Sequence, residues 1–90
     1  MAGGYTQQEI SGESQEVARF AKPIAEEKAG KTFTVFEPVQ HSTQVVAGIN
    51  HKLKIKVGDD EYIHVVVYEH FSGQRTVQSV ATGKTLQDTL

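Results

Sequence analysis

Four histidines, at positions 41, 51, 64 and 70, are the residues of this chain best suited to acid–base or metal chemistry. None stands four residues from another, so no helical pair can present two imidazoles to a metal from one face. His64 and His70 share a strand parity, but six residues of extended chain hold them roughly 20 Å apart, too far for one zinc ion. The spacing therefore reads as surface or rim histidines. Asp59-Asp60-Glu61 would suit a cation, yet it follows Gly58, and Gly-Asp-Asp is the composition of a solvated hairpin turn. Lys52, Lys54 and Lys56 would suit phosphate, but the chain carries 9 Lys+Arg against 11 Asp+Glu, a net charge of −2. They read as a solvated strand face that also discourages edge-to-edge pairing, and the charge balance argues against a nucleic-acid partner. Cysteine is absent, which removes the thiolate nucleophile, the thiolate metal site and the disulfide. No phosphate loop, dinucleotide fingerprint, helical zinc motif or nucleophile elbow occurs. The inventory points to no enzyme, no metal and no cofactor.

The elements that must position any site fit one domain spanning residues 1–90. At 90 residues the chain can close one modest core but not a deep, fully walled cavity. Hydrophobic residues at 38% and charged residues at 22% are ordinary for a folded, soluble protein. No apolar run approaches the roughly 18 residues of a membrane span. The opening Met1–Gln8 has neither a basic nor an apolar leader region, so a cytoplasmic protein is expected.

Residues 1–10 read as a flexible or extended arm. Residues 12–29 read as a helix, with Val17, Phe20, Ala21, Ile24 and Ala25 as its apolar stripe, Ser11 as N-cap and Gly30 as terminator. Pro23 predicts a kink near Arg19–Pro23 or two abutting helical pieces. Residues 31–81 read as an antiparallel meander. Its strands cover Phe33–Thr43, Lys52–Val57, Tyr62–Glu69 and Thr76–Ala81, with Pro38 marking a bulge or an edge and turns near 58–60 and 70–75. Residues 82–90 read as a polar tail with Leu86 and Leu90 as anchors. The class is α+β, one helix covering the apolar face of an antiparallel sheet.

Gln44-Val45-Val46-Ala47-Gly48 fits this account in two ways. It can be strand interior with the reversal at Gly48-Ile49-Asn50, or the reversal itself with an unusually apolar tip. The same pentapeptide is the Q-V-V-A-G motif of the cystatin superfamily, matched in full. Gly3-Gly4, Lys31-Thr32-Phe33-Thr34-Val35-Phe36, the stretch Val57-Gly58-Asp59-Asp60-Glu61-Tyr62-Ile63-His64 and Asp88-Thr89-Leu90 resemble stefin segments in the same order. The chain thus resembles the stefins, the cysteine-poor cytosolic branch of that superfamily, over almost its whole length.

The resemblance implies a cystatin-like fold, one helix across a four- to five-stranded antiparallel sheet. It implies a reversible inhibitor of papain-like cysteine proteases of the cathepsin type, mainly monomeric. A strained first hairpin would also permit a domain-swapped dimer. It implies a wedge made of the arm at Gly3, Gly4 and Tyr5, the hairpin Gln44, Val45, Val46, Ala47 and Gly48, and a second hairpin at Phe71 and Ser72. Phe71-Ser72 stands where stefins commonly carry Leu-Pro, so an apolar contact is kept and the stiffness of proline is lost. That departure keeps a non-inhibitory binding or structural module on the same fold as the alternative.

Overall fold

A computed structural model describes residues 4–90. The chain runs β1 (Thr6–Gln8), α1 (Gly12–Ala29), β2 (Glu37–Val46), β3 (Gly48–Gly58), β4 (Glu61–Glu69) and β5 (Arg75–Lys84). The strands form one sheet in the order β1-β2-β3-β4-β5, every neighbour antiparallel. The helix packs across β2 to β5, which is the α+β arrangement expected. No helix among the described residues is long and apolar enough to cross a membrane.

The helix starts at Ser11, whose extended backbone frees its amide to donate to the Ser14 hydroxyl oxygen at 3.1 Å. It ends at Gly30, held left-handed at φ +72°, whose N–H donates back to the Glu26 and Glu27 carbonyls. The buried face is Ser14, Val17, Ala18, Ala21 and Ala25, rotated from the expected stripe. Three alanines let the backbone approach the sheet closely, while Ile24 turns outward and is 37% exposed. Two abutting helical pieces do not form at Pro23. One continuous helix passes through it, because Pro23 lies on the solvent side, where water can satisfy the backbone group it leaves unpaired.

The first long strand begins at Glu37 rather than at Phe33. Phe33 is a loop residue that plugs the core, its amide donating to the Glu26 carboxylate at 2.9 Å and its ring tilted on Phe36. The register shifts between Pro38 and Gln40, as the missing amide of proline requires. Thr6–Gln8 of the arm is ordered strand, paired with His41–Thr43. The last strand is longer than its apolar residues indicated, Arg75–Lys84 instead of Thr76–Ala81.

On the inner face, Leu53 and Ile55 of β3 and Ile63, Val65 and Val67 of β4 close against the helix. The outer face holds a surprise. Lys54, expected in water with Lys52 and Lys56, is wholly buried. The chain after β5 crosses over it, and its ammonium donates to the carbonyls of Thr85, Leu86 and Asp88 at 2.8, 2.6 and 2.6 Å. Its three donors are thus all used on backbone oxygens, which is what makes burial of the charge tolerable. The tail is anchored by this cation and not by Leu86, which is 51% exposed.

Replacing Lys54 by Met keeps the stem and removes the ammonium. The tail should lift from the sheet and folding stability should fall by on the order of 2 kcal/mol. Urea unfolding and amide exchange at Asp88 check this, and an unchanged tail would count against the clasp.

Candidate functional site

Antiparallel pairing sends three features to one end of the sheet: the start of β1, the β2–β3 connection and the β4–β5 connection. Gly4, Tyr5, Gln44–Gly48, Phe71 and Ser72 lie at or next to that end, and Gly3 lies outside the described residues. The β2–β3 reversal falls on Ala47, with Val46 paired to Gly48, and Ile49 and Asn50 are strand residues opposite Val45 and Gln44. The tip is therefore apolar. Val45 is 79% exposed and Val46 43%.

Gly48 makes this tight reversal possible. Its φ of +121° is nearly closed to other residues, and a Cβ there would sit 2.5 Å from the Glu69 carbonyl oxygen and 2.8 Å from the Tyr68 hydroxyl. That hydroxyl donates to the Ala47 carbonyl. Below the tip, Asn50 Nδ2 donates to Gln44 Oε1 at 3.0 Å.

The second hairpin spans five residues between Glu69 and Arg75. His70 N–H donates to the Gln74 carbonyl and Gly73 N–H to the His70 carbonyl. The Ser72 amide donates to His70 Nδ1 at 3.1 Å, and the Ser72 hydroxyl lies 2.8 Å from the same nitrogen. Ser72 thus supplies by hydrogen bonding some of the stiffness a proline would give by its ring. Phe71 leans on His70 with ring centroids 4.1 Å apart and is 81% exposed. Between the two tips runs an open groove of about 510 Å³, bounded by Val45–Ile49 on one side and Glu69–Phe71 on the other.

The arm lies on the other side of the first hairpin, paired with β2 at the same end of the sheet. Gln8 Nε2 donates to Thr43 Oγ1 at 2.9 Å, and Lys52 Nζ sits 4.2 Å from the centre of the Tyr5 ring, a cation–π contact. A Cβ at Gly4 would meet no described atom within 4 Å.

Beneath the edge lies a polar chain that the reading of surface histidines missed. His41 and His51 are fully buried, with stacked rings 5.1 Å apart. Ser14 Oγ is 2.8 Å from His41 Nδ1, His41 Nε2 is 2.9 Å from His51 Nδ1, and His51 Nε2 is 3.0 Å from Glu69 Oε1. The signal was in the alternation: His51 shares parity with Leu53 and Ile55, and Glu69 with Val65 and Val67. Polarity argued for the surface, but inward parity and hydrogen bonding took His51 inside and left Glu69 partly buried. Burial, and next the neighbouring His51, push the His41 pKa below its ordinary 6.5, with Glu13 opposing. Burial works to raise the Glu69 carboxyl, but hydrogen bonds from His51 and Arg75 outweigh it and hold the group below its ordinary range. His64, on the outer face, is also lowered, first by burial and then by Lys54. Among the described residues no three His, Asp or Glu side chains are grouped as metal ligands.

A family model described as the cystatin domain matches residues 4–88. The chain is 42% identical over 81 residues to cystatin-A of Felis catus, covering 87% of this chain and 83% of that protein. It is 40% identical over 86 residues to cystatin-B of Sus scrofa, covering 92% and 88%. It is also 40% identical over 75 residues to leukocyte cysteine proteinase inhibitor 1 of Sus scrofa, covering 82% and 73%. The chain belongs to the cystatin family, in its stefin branch.

Two outcomes follow from the site's packing. Gly48→Ala should cost on the order of 3 kcal/mol, through its backbone angle and the Glu69 and Tyr68 contacts, which urea unfolding measures. A His41 held neutral by burial contributes stability that is complete above its ordinary 6.5 and lost as pH falls through its lower folded value. Melting temperature should therefore decline on acidification from pH 6.5 downward, and a flat profile would contradict it.

Proposed function

We propose that this chain is a reversible inhibitor of papain-like cysteine proteases of the cathepsin type, acting from the cytoplasm as a monomer. The arm, the Val45–Ala47 tip and the Phe71 hairpin enter the protease cleft together. The observation that carries the reading is the pair of exposed apolar tips, Val45 at 79% and Phe71 at 81%, facing one groove at the end of the sheet where the arm also lies. Contiguous exposed apolar surface of this kind marks an interaction site. The name of one relative, leukocyte cysteine proteinase inhibitor 1, supports the class of partner.

The mechanism follows from shape. Each valine fully buried against a cleft wall contributes roughly 1.5–3 kcal/mol. Tyr68, Gly48 and the Gln44–Asn50 pair hold the first tip before any partner arrives, and His70–Ser72 holds the second, so little ordering remains to be done on binding. Ala47 at the apex is small enough for a narrow cleft. Nothing within the described chain requires glycine at position 4, so its lack of a side chain suits close passage of the arm along a partner. The wedge blocks the cleft without offering a scissile bond to the catalytic cysteine.

Titration against papain with a fluorogenic substrate tests the reading, and absence of inhibition at micromolar protein would overturn it. Val46→Asp places a charge in the apolar contact and should weaken inhibition roughly 100-fold while folding is unchanged. Equal potency would exclude this hairpin as the contact.

A further inference from the structure

The buried polar chain belongs neither to the apolar core nor to the contacts proposed for the cleft, yet it runs to the point where the two hairpins meet. Its hydrogen bonds fall into one consistent direction. Ser11 N–H donates to Ser14 Oγ, and the Ser14 hydroxyl donates to His41 Nδ1. His41 Nε2–H then donates to His51 Nδ1, and His51 Nε2–H donates to the Glu69 carboxylate. This order assigns the Nε2–H tautomer to both rings, because Glu69 can only accept and each acceptor nitrogen then faces a donor. Glu69 also accepts from Arg75 Nε at 3.3 Å, and Arg75 Nη2 lies 3.8 Å from Glu16 of the helix.

The far end of the chain is the root of the edge. Glu69 is the last residue of β4, opposite Ile49 of the first hairpin and Arg75 of the second. Its carbonyl oxygen lies against Gly48, and the next residue opens the Phe71 hairpin. A displacement of Glu69 therefore moves both walls of the groove.

An added proton disturbs this order. On His41 Nδ1 it faces Ser14 and deprives the serine hydroxyl of its acceptor. That leaves a buried group short of a partner or forces the chain to reorient. The charged groups that face the pair are Glu13 of α1 and Glu69 of β4, with Arg75 of β5 behind Glu69 and Glu16 of α1 behind Arg75.

We propose that Glu69 is a positioning residue for the two-hairpin edge, held from beneath by the buried Ser14–His41–His51 chain, so that a proton taken up at His41 reorders the chain and is felt at the edge. The partner in this inference rests on the inhibitor reading; the coupling inside the edge does not.

Two measurements test it. The inhibition constant against papain is compared for the wild-type protein and Glu69→Gln from pH 5 to 8, the ratio cancelling the protease's own titration. The variant should be about tenfold weaker at pH 7.5, and the ratio of the two constants should change as the pH falls. A constant ratio would leave Glu69 as ordinary scaffold and overturn the proposal. In the free wild-type protein, NMR should give Nε2–H tautomers for both rings at pH 7.5. The amides of Ala47, Gly48 and Phe71 should then shift with the midpoint of His41. Edge amides that ignore that midpoint overturn the proposal even if Glu69→Gln fails to fold. Failure of the wild type to inhibit papain at pH 7.5 overturns the inhibitor reading instead, and the free-protein titration still decides the coupling.

Discussion

The two-hairpin end of this molecule depends on how closely β3 and β4 approach at Gly48. Only a residue without a side chain lets the Glu69 carbonyl and the Tyr68 hydroxyl sit where they do. With that approach granted, the β2–β3 reversal can close on a single residue, Ala47, and Tyr68 can cap its carbonyl. The same approach roots the Phe71 hairpin beside the valine tip. The groove between them is thus a product of strand pairing, and its apolar walls are held by that pairing and by hydrogen bonds of Tyr68, Asn50 and His70 rather than by packing of the exposed side chains themselves.

The inner face of the sheet is divided along its length. Toward the middle, Leu53, Ile55, Ile63, Val65 and Val67 are covered by small helix residues, and the hydrophobic effect suffices. Toward the start of the helix, His41, His51 and Glu69 replace aliphatic residues under the edge. A buried polar group must find a partner, and a linear chain of partners has fewer acceptable arrangements than a greasy contact. That end of the core is correspondingly more specific in geometry and more exposed to pH. Lys54 follows the same rule on the opposite face, where a buried cation is tolerated because backbone oxygens converge on it.

Much of the fold was legible from local pattern. The alternation around Lys52–Val57 and Ile63–Val67 located the two central strands, and the single amphipathic segment gave the helix and the α+β class. The helix face was read one step off, because Phe20 and Ile24 outweighed the small residues Ser14 and Ala18 in a purely apolar count, although close packing against a sheet favours small side chains. Phe33 was read as strand, since a buried aromatic looks alike in a strand and in a loop. At the candidate site, the apolar pentapeptide with its glycine was visible as an anomaly, and its resemblance to a known motif decided between two turn positions that the residues left open.

What this sequence determines by itself is whatever depends on neighbours along the chain: the helix between Ser11 and Gly30, the strand parities, the turn at Gly58-Asp59-Asp60 and the motif Gln44–Gly48. Only the tertiary structure decides which polar groups meet. Lys54 and the carbonyls of Thr85, Leu86 and Asp88 stand more than thirty positions apart, and Ser14, His41, His51 and Glu69 come from four different elements. A lysine or a histidine carries no mark of its own fate. Whether it is hydrated or buried is settled by the partners that long-range pairing brings within about 3 Å, the range of a hydrogen bond.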